Sequence, residues 1–215
     1  MFSVLDMFTI GVGPSSSHTV GPMCAAQAFA SSLEESGAVS RVGRIRVVLY
    51  GSLSLTGLGH GTDRAILAGL EGNVPATVDT DYLLSVRERC AHDGTIHVNG
   101  TNAIAYDDDG DMVFDRWKRL APHPNGMRFQ AFDAQGNIID EQVWYSIGGG
   151  FIRRGRIDDA LISNHEQTPA SSQSPEDSGN DEAAEYGDGV PVSLRIMRRP
   201  DRPVSKHHLS IADVV

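Results

Sequence analysis

Apolar and polar residues alternate along most of the chain between Thr95 and Ser146, and this period-two pattern constrains the fold more than any other feature. Five segments follow it, namely TIHV, NAIAY, MVFDRW, MRFQAFD and IIDEQVWYS. Such alternation is typical of half-buried strands in an antiparallel sheet. Two polar stretches, Asp107–Asp111 and Ala134–Asn137, predict hairpin turns within this half.

The residues before Thr95 predict helices around one strand. Three helices are expected, from a Thr19 cap to about Ser36, over Asp63–Leu70 after a Thr62 cap, and over Asp79–Ala91. Pro22 lies in the first turn of the first helix, and Gly37 follows its end. Met23, Ala26, Ala30 and Leu33 share one of its faces.

RIRVVLYG, Arg44–Gly51, is the strand of this half, with Ile45, Val47 and Leu49 facing one way. Leu53–Thr62 is a glycine-rich connection after it, and Phe2–Gly11 is a short helical or extended lead-in. Helices grouped before strands favour an α+β fold. We therefore predict an α/β sandwich over residues 1–162, with an antiparallel or mixed sheet covered by helices on one face.

The sequence changes character after Ile162. Residues 163–189 are rich in Ser, Pro and acidic residues, with seven acids and no Lys or Arg between Asn164 and Gly189. Such a composition predicts a disordered acidic linker that acts as a tether. Residues 190–215 contain a candidate strand, Val190–Arg199, and a single helical turn near Ser210, where a further domain would begin.

Charge and composition exclude several classes of function. The net charge is −10, and about −3 without the acidic linker, so a nucleic-acid role is not expected. Met1–Ile10 lacks a basic region and carries Asp6, which argues against a signal peptide, and no apolar run is long enough to span a membrane. We expect a cytoplasmic protein in which Cys24 and Cys90 are buried thiols rather than a disulfide.

The loop GVGPSSSHTVGP places hydroxyls and an imidazole immediately before a predicted helix. Its polar residues are Ser15, Ser16, Ser17, His18 and Thr19. Backbone N–H groups and hydroxyls at a helix start can bind an anion such as a carboxylate, although a capped turn would have the same sequence. The loop has neither the Lys-Ser/Thr of a phosphate-binding loop nor the GxSxG of a hydrolase, so a Ser-His hydrolase is disfavoured.

Three other clusters could complete a small-molecule site. His60 lies between glycines in GLGHGTD, where Asp63 could orient its imidazole or serve as an acid at a helix start. Asn125 follows His123 in PHPNGMRF and could bind a carboxylate or an ammonium group. Gly148, Gly149 and Gly150 could expose backbone N–H groups to an anion. Each cluster could equally be ordinary loop sequence, and spacing alone does not show that they converge.

The four motifs together resemble the β portion of bacterial iron–sulfur-dependent L-serine dehydratase. The resemblance covers about residues 1–162 and rests on SVLDMFTIGVGPSSSHTVGPM, GSLSLTGLGHGTDRA, HPNGMRF and VWYSIGGGFI, in this order. It implies a lyase that converts L-serine to pyruvate and ammonia. It also implies that His60 is the general base, that His18 is the second candidate, and that a substrate pocket is formed by Ser15, Ser16, Ser17, Thr19, Asn125 and Gly148–Gly150.

The resemblance further implies a [4Fe–4S] cluster held by cysteines of an α portion that this chain does not contain. A cluster needs three or four thiolates, so Cys24 and Cys90 are not expected to hold one, and no metal site is predicted in this chain. The chain would be inactive without the α portion, whether it is a β subunit or part of a longer enzyme. The complete enzyme is expected to be a homodimer. The alternative is a non-catalytic regulatory module that binds serine or another small carboxylate.

Overall fold

A computed structural model describes residues 12–164 of the 215-residue chain. The predicted lead-in, most of the acidic linker, the candidate strand at 190–199 and the final helical turn lie outside the described residues. Within residues 12–164, no helix is both long and apolar enough to cross a membrane.

The helices occupy mainly the first half of the described chain. They are α1 (Gly21–Glu35), α2 (Ser52–Thr56), α3 (Thr62–Leu70), α4 (Thr80–Asp93) and α5 (Asp108–Asp111). A π-helical turn, Ser16–Val20, leads into α1, and short 3₁₀ turns occupy Val39–Arg41 and Leu58–His60. The connection after the first strand, predicted without regular structure, therefore contains α2 and a 3₁₀ turn.

The described residues form nine strands, of which six were predicted. They are β1 (Arg44–Tyr50), β2 (Thr95–Val98), β3 (Asn102–Ala105), β4 (Met112–Asp115), β5 (Lys118–Leu120), β6 (Gly126–Phe132), β7 (Ile138–Gly148), β8 (Phe151–Arg154) and β9 (Leu161–Ser163). The sequence did not predict β5, β8 or β9, which are only three or four residues long and lack a sustained alternation.

The main sheet is mixed rather than purely antiparallel. Its order is β2-β3-β1-β6-β7-β8, with β4 also paired to β1, while β5 and β9 form a separate two-stranded sheet. Both β3 and β4 run parallel to β1. The predicted hairpin at Asp107–Asp111 is therefore wrong, because α5 joins two strands that point the same way. The predicted β6–β7 hairpin is confirmed, with Gly136 in its turn at φ +85°.

The core lies between the helices and one face of the main sheet. Ile45, Val47 and Leu49 of β1 are buried as predicted, beside Phe129 of β6. Phe29 of α1 stacks on Phe129 with ring centroids 5.2 Å apart. Helix α1 also packs against α3 and against β7 and β8. The observed fold is mixed α/β with a mixed sheet.

Both predicted threonine caps are wrong, and both errors lie beside the candidate site. Ser15, not Thr19, caps the helical turn, because the π-helical turn starts before α1 and the N–H of its third residue, His18, donates to the Ser15 hydroxyl. Gly61 precedes α3, and the Thr62 hydroxyl donates to the His18 carbonyl instead of capping its own helix. The two hydroxyls therefore connect different loops. The predicted end of α1 near Ser36 is confirmed. The helix predicted over Asp79–Ala91 is observed as α4, and the structure adds that Asp79 caps it by accepting from the Tyr82 N–H.

Strand direction brings three loops to one end of the sheet. Leu49, near the end of β1, pairs with Met127, near the start of β6. Gly126 in turn pairs with Tyr145, near the end of β7. The segments after β1, before β6 and after β7 therefore meet there.

Candidate functional site

Backbone hydrogen bonds join the loop before β6 to the segment after β1 on one side and to β7 on the other. The Ser52 N–H donates to the Pro124 carbonyl at 2.9 Å. The Ser146 N–H donates to the Asn125 carbonyl at 3.0 Å, and the Asn125 side-chain amide donates to the Ser146 carbonyl at 3.2 Å. Asn125 is thus held at the sheet end by two reciprocal contacts with β7.

The two candidate histidines face each other across this sheet end. The rings of His18 and His60 have centroids 4.9 Å apart and are tilted by 42°. The Thr19 hydroxyl donates to the His60 carbonyl at 2.8 Å, and the Thr62 hydroxyl donates to the His18 carbonyl. The loop before α1 and the His60 turn are therefore tied together in both directions, which confines the imidazole pair.

The hydrogen bonds distinguish the two imidazoles. His60 Nδ1 lies 2.9 Å from the Thr56 carbonyl oxygen, which can only accept, so Nδ1 carries the hydrogen. The lone pair of neutral His60 is then on Nε2, which has no hydrogen-bond partner among residues 12–164. His18 contacts hydroxyls at both nitrogens, Ser17 Oγ at 2.9 Å and Ser52 Oγ at 3.0 Å. His60 is therefore the imidazole with a free basic nitrogen.

The pKa of His18 is lowered from its ordinary value. Burial is the main cause, and the nearby imidazole of His60 adds to it, while the hydrogen bond to Ser52 acts in the opposite direction. Because like charges repel at this distance, the pair resists double protonation.

We expect the His18 imidazole to titrate below the ordinary pKa of about 6.5. A His60→Gln change should raise that midpoint, because it removes the neighbouring charge. In the wild type, the folded state protonates His18 at a lower pH than the unfolded state does. As the pH falls below about 6.5, His18 therefore lowers the free energy of unfolding. Imidazole NMR titration of the full chain, assigned with His18→Gln, measures the midpoint. A His18 midpoint at or above the ordinary value would contradict the geometry.

The serines and Thr19 of the opening loop differ in their contacts. Ser15 and Ser17 are half-buried and are oriented by the His18 N–H and ring. Ser16 is exposed. Thr19 is buried and uses its hydroxyl hydrogen on the His60 carbonyl. Thr19 therefore acts here as a link between loops, while Ser15, Ser16 and Ser17 remain candidates for ligand contact.

The three glycines form the turn between β7 and β8. Gly148, Gly149 and Gly150 have φ values of +97°, +60° and +80°, a left-handed run that glycine adopts with little strain. They follow Ser146 in the chain, so the structure places them next to the sheet end that holds Asn125. Anion binding by their N–H groups stays a prediction.

Three polar residues that the sequence did not single out also lie at this end. Ser52 contacts His18, as described above. Arg64, together with His60 and Thr19, lines a cleft of about 140 Å³ and forms no ion pair within residues 12–164. Ser146 is fully buried, and its hydroxyl has no hydrogen-bond partner in the described part of the chain. The position of Ser52 just beyond a strand end could have marked it as a site residue in the sequence. The place of Arg64 in the cleft and the burial of Ser146 become visible only in the folded chain.

The cysteines of the described region do not form a cluster site. Burial raises the pKa of Cys24 to about 11 and that of Cys90 to about 12, and both are free thiols. No group of three or more metal-binding side chains occurs in the part of the chain that the structure describes. These residues do not fit a [4Fe–4S] cluster, which requires several thiolates.

Fold and site together define a mixed α/β domain that presents paired imidazoles and oriented hydroxyls at one end of its sheet. Residues 3–156 match the serine dehydratase beta chain family, and the chain belongs to that family. The match confirms the resemblance inferred from the four motifs.

Several L-serine dehydratases are similar to this chain. The Streptomyces coelicolor protein is 49% identical over 150 residues, which are 70% of this chain and 33% of that protein. L-serine dehydratase 1 of Escherichia coli is 45% identical over 156 residues, covering 71% of this chain and 33% of the relative. The Haemophilus influenzae protein is 40% identical over 168 residues, covering 78% and 36%. The chain thus spans about a third of the length of the curated relatives it matches.

Proposed function

We propose that this chain is the β portion of an L-serine ammonia-lyase that converts L-serine to pyruvate and ammonia. The observation that carries this proposal is the pairing of His18 with His60, in which only His60 keeps a basic nitrogen without a hydrogen-bond partner among residues 12–164. The family and its L-serine dehydratase relatives support the substrate.

His60 is the proposed general base. Its Nε2 takes the α-proton of serine while the Thr56 carbonyl holds Nδ1–H and fixes the ring. The electron pair of the broken C–H bond forms the Cα–Cβ double bond as the β C–O bond breaks. The departing hydroxide combines with the proton taken up by His60 to give water, which returns His60 to its neutral form. The resulting enamine then reacts with water to give pyruvate and ammonia. His18, held between Ser17 and Ser52, is the proposed partner of the substrate hydroxyl or carboxylate.

Binding of the serine carboxylate is assigned to the hydroxyls of Ser15, Ser16 and Ser17, with Asn125 and the Gly148–Gly150 backbone completing the pocket. Arg64 adds a cation in the cleft beside His60. Hydrogen-bond donors and a cation aimed at the carboxylate stabilise the negative charge that develops when the α-proton leaves.

The [4Fe–4S] cluster is proposed to belong to an α portion outside this chain, since the described cysteines do not fit it. When bound there, such a cluster supplies a Lewis acid for the leaving hydroxyl. The proposed enzyme is therefore complete only when the α portion joins this chain, in a cytoplasmic assembly that we expect to be a homodimer.

Reconstitution tests the proposal directly. The chain is co-expressed anaerobically with the unmatched two thirds of the Streptomyces coelicolor relative, and pyruvate formed from L-serine is measured. We expect pyruvate from the pair and none from the chain alone. A pair that binds its cluster and L-serine without forming pyruvate would overturn the enzyme proposal and favour a serine-binding regulatory module.

A further inference from the structure

A charged network at the start of α3 lies outside the proposed substrate pocket. Asp63, in the first turn of α3, is only 3% exposed and pairs with Arg87 of α4. Its second carboxylate oxygen has no hydrogen-bond partner within the region that the structure describes. The sequence left open whether Asp63 orients the His60 ring, but the ring nitrogen contacts Thr56 instead. Asp63 therefore does not orient the His60 ring, and its partner is Arg87.

Arg87 is held from its other side by a second carboxylate. Its guanidinium donates to both oxygens of Asp108, through Nε at 3.0 and 3.2 Å and through Nη2 at 2.7 Å. The Tyr106 hydroxyl also donates to Asp108 at 2.7 Å. Arg87 lowers the pKa of Asp108. One cation thus connects two carboxylates, so its removal leaves a buried charge at Asp63 without a partner.

The network is attached to the His60 turn through one peptide unit. Thr62, the residue before Asp63, donates its N–H to the Gly57 carbonyl at 3.0 Å and its hydroxyl to the His18 carbonyl. The His60 N–H donates to the same Gly57 carbonyl at 3.0 Å. Displacement of the first turn of α3 would therefore disturb the Thr62 hydrogen bonds to His18 and to Gly57. These bonds keep the two imidazoles facing each other.

We propose that Asp63, Arg87 and Asp108 are positioning residues that hold the first turn of α3, and through Thr62 the His60 turn, in place beside His18. This inference rests on the proposed function only where it is tested by enzyme kinetics, and its hydrogen-exchange test does not depend on that function. The chain offers a matched control in the pair Arg89–Glu71, which joins α4 to the residue that follows α3. Its side chains are similarly exposed, 32% and 6% against 30% and 4% for Arg87 and Asp63, but Glu71 lies at the far end of α3.

Hydrogen exchange in the full chain separates positioning from general stability. In Arg87→Met we expect the amides of His60, Gly61 and Thr62 to exchange at least about tenfold faster, relative to amides of β6 that report global opening. Arg89→Met should leave that ratio unchanged. Arg87→Lys keeps the charge and should restore most of the protection. If Arg87→Met does not fold, Asp63→Asn is compared with Arg89→Met in the same way.

The reconstituted enzyme provides the second readout. Arg87→Met should lower kcat by about tenfold or more with little change in KM, because serine still meets its binding groups while the base is misplaced. Equal exchange ratios in Arg87→Met and Arg89→Met would overturn the inference, whatever the activity. An inactive wild-type pair would instead count against the proposed function and would leave the exchange result to decide the positioning role.

Discussion

Replacement of His60 by alanine is expected to lower the turnover of L-serine by at least about two orders of magnitude in the reconstituted enzyme, the usual cost of losing a general base. The physical reason is that His60 Nε2 is the uncommitted imidazole nitrogen of the pair, since His18 contacts hydroxyls at both of its nitrogens. KM should change little, because the proposed carboxylate contacts come from the opening loop. Steady-state pyruvate formation measures both quantities.

His92→Ala is the matched control for this change. His92 lies on α4 with an 88% exposed side chain next to Asp93, remote from the contacts of the imidazole pair, and its loss should leave turnover unchanged. Turnover of His60→Ala within about tenfold of the wild type would remove His60 as the base, since a general base contributes more than that. His18 would then be the remaining candidate.

The largest expected effect on stability comes from Gly51→Ala. Gly51 has φ +56° and ψ −127°, a backbone conformation that is strained for any residue with a side chain. A Cβ atom there would lie 2.3 Å from the Pro124 carbonyl oxygen, which also accepts the Ser52 N–H. Strain and overlap together should lower the free energy of unfolding by about 3 kcal/mol or more. The substitution should also displace Ser52 from His18.

Denaturant unfolding of the full chain measures the loss, with Gly59→Ala as control. A Cβ atom at Gly59 meets no heavy atom within 4 Å, so that variant should stay within about 1 kcal/mol of the wild type. Similar losses in the two variants would show that the contact between Gly51 and the loop before β6 contributes little. A loss confined to Gly51→Ala would confirm that this close approach supports the site.

Local patterns predicted most elements correctly. The alternation in β1, β6 and β7 identified the strands and the buried residues Ile45, Val47 and Leu49. Strand pairing was predicted less well. Helix α5 stands where a hairpin was expected, and β4 runs parallel to β1. An acidic turn has the same local sequence whether the next strand reverses or continues, so the direction of β4 depended on its pairing with β1, which is distant in sequence.

Motifs and periodicity in the sequence identified the family, six of the strands, the three longest helices and the residue types of the site, because these are local properties of the chain. Only the tertiary structure decided that His18 and His60 face each other, that Thr56 and Ser52 are their partners, and that Thr19 and Thr62 tie loops together instead of capping helices. These contacts join residues as far as 44 positions apart. They depend on strand directions that bring distant loops to one end of the sheet, and no local pattern encodes such an arrangement.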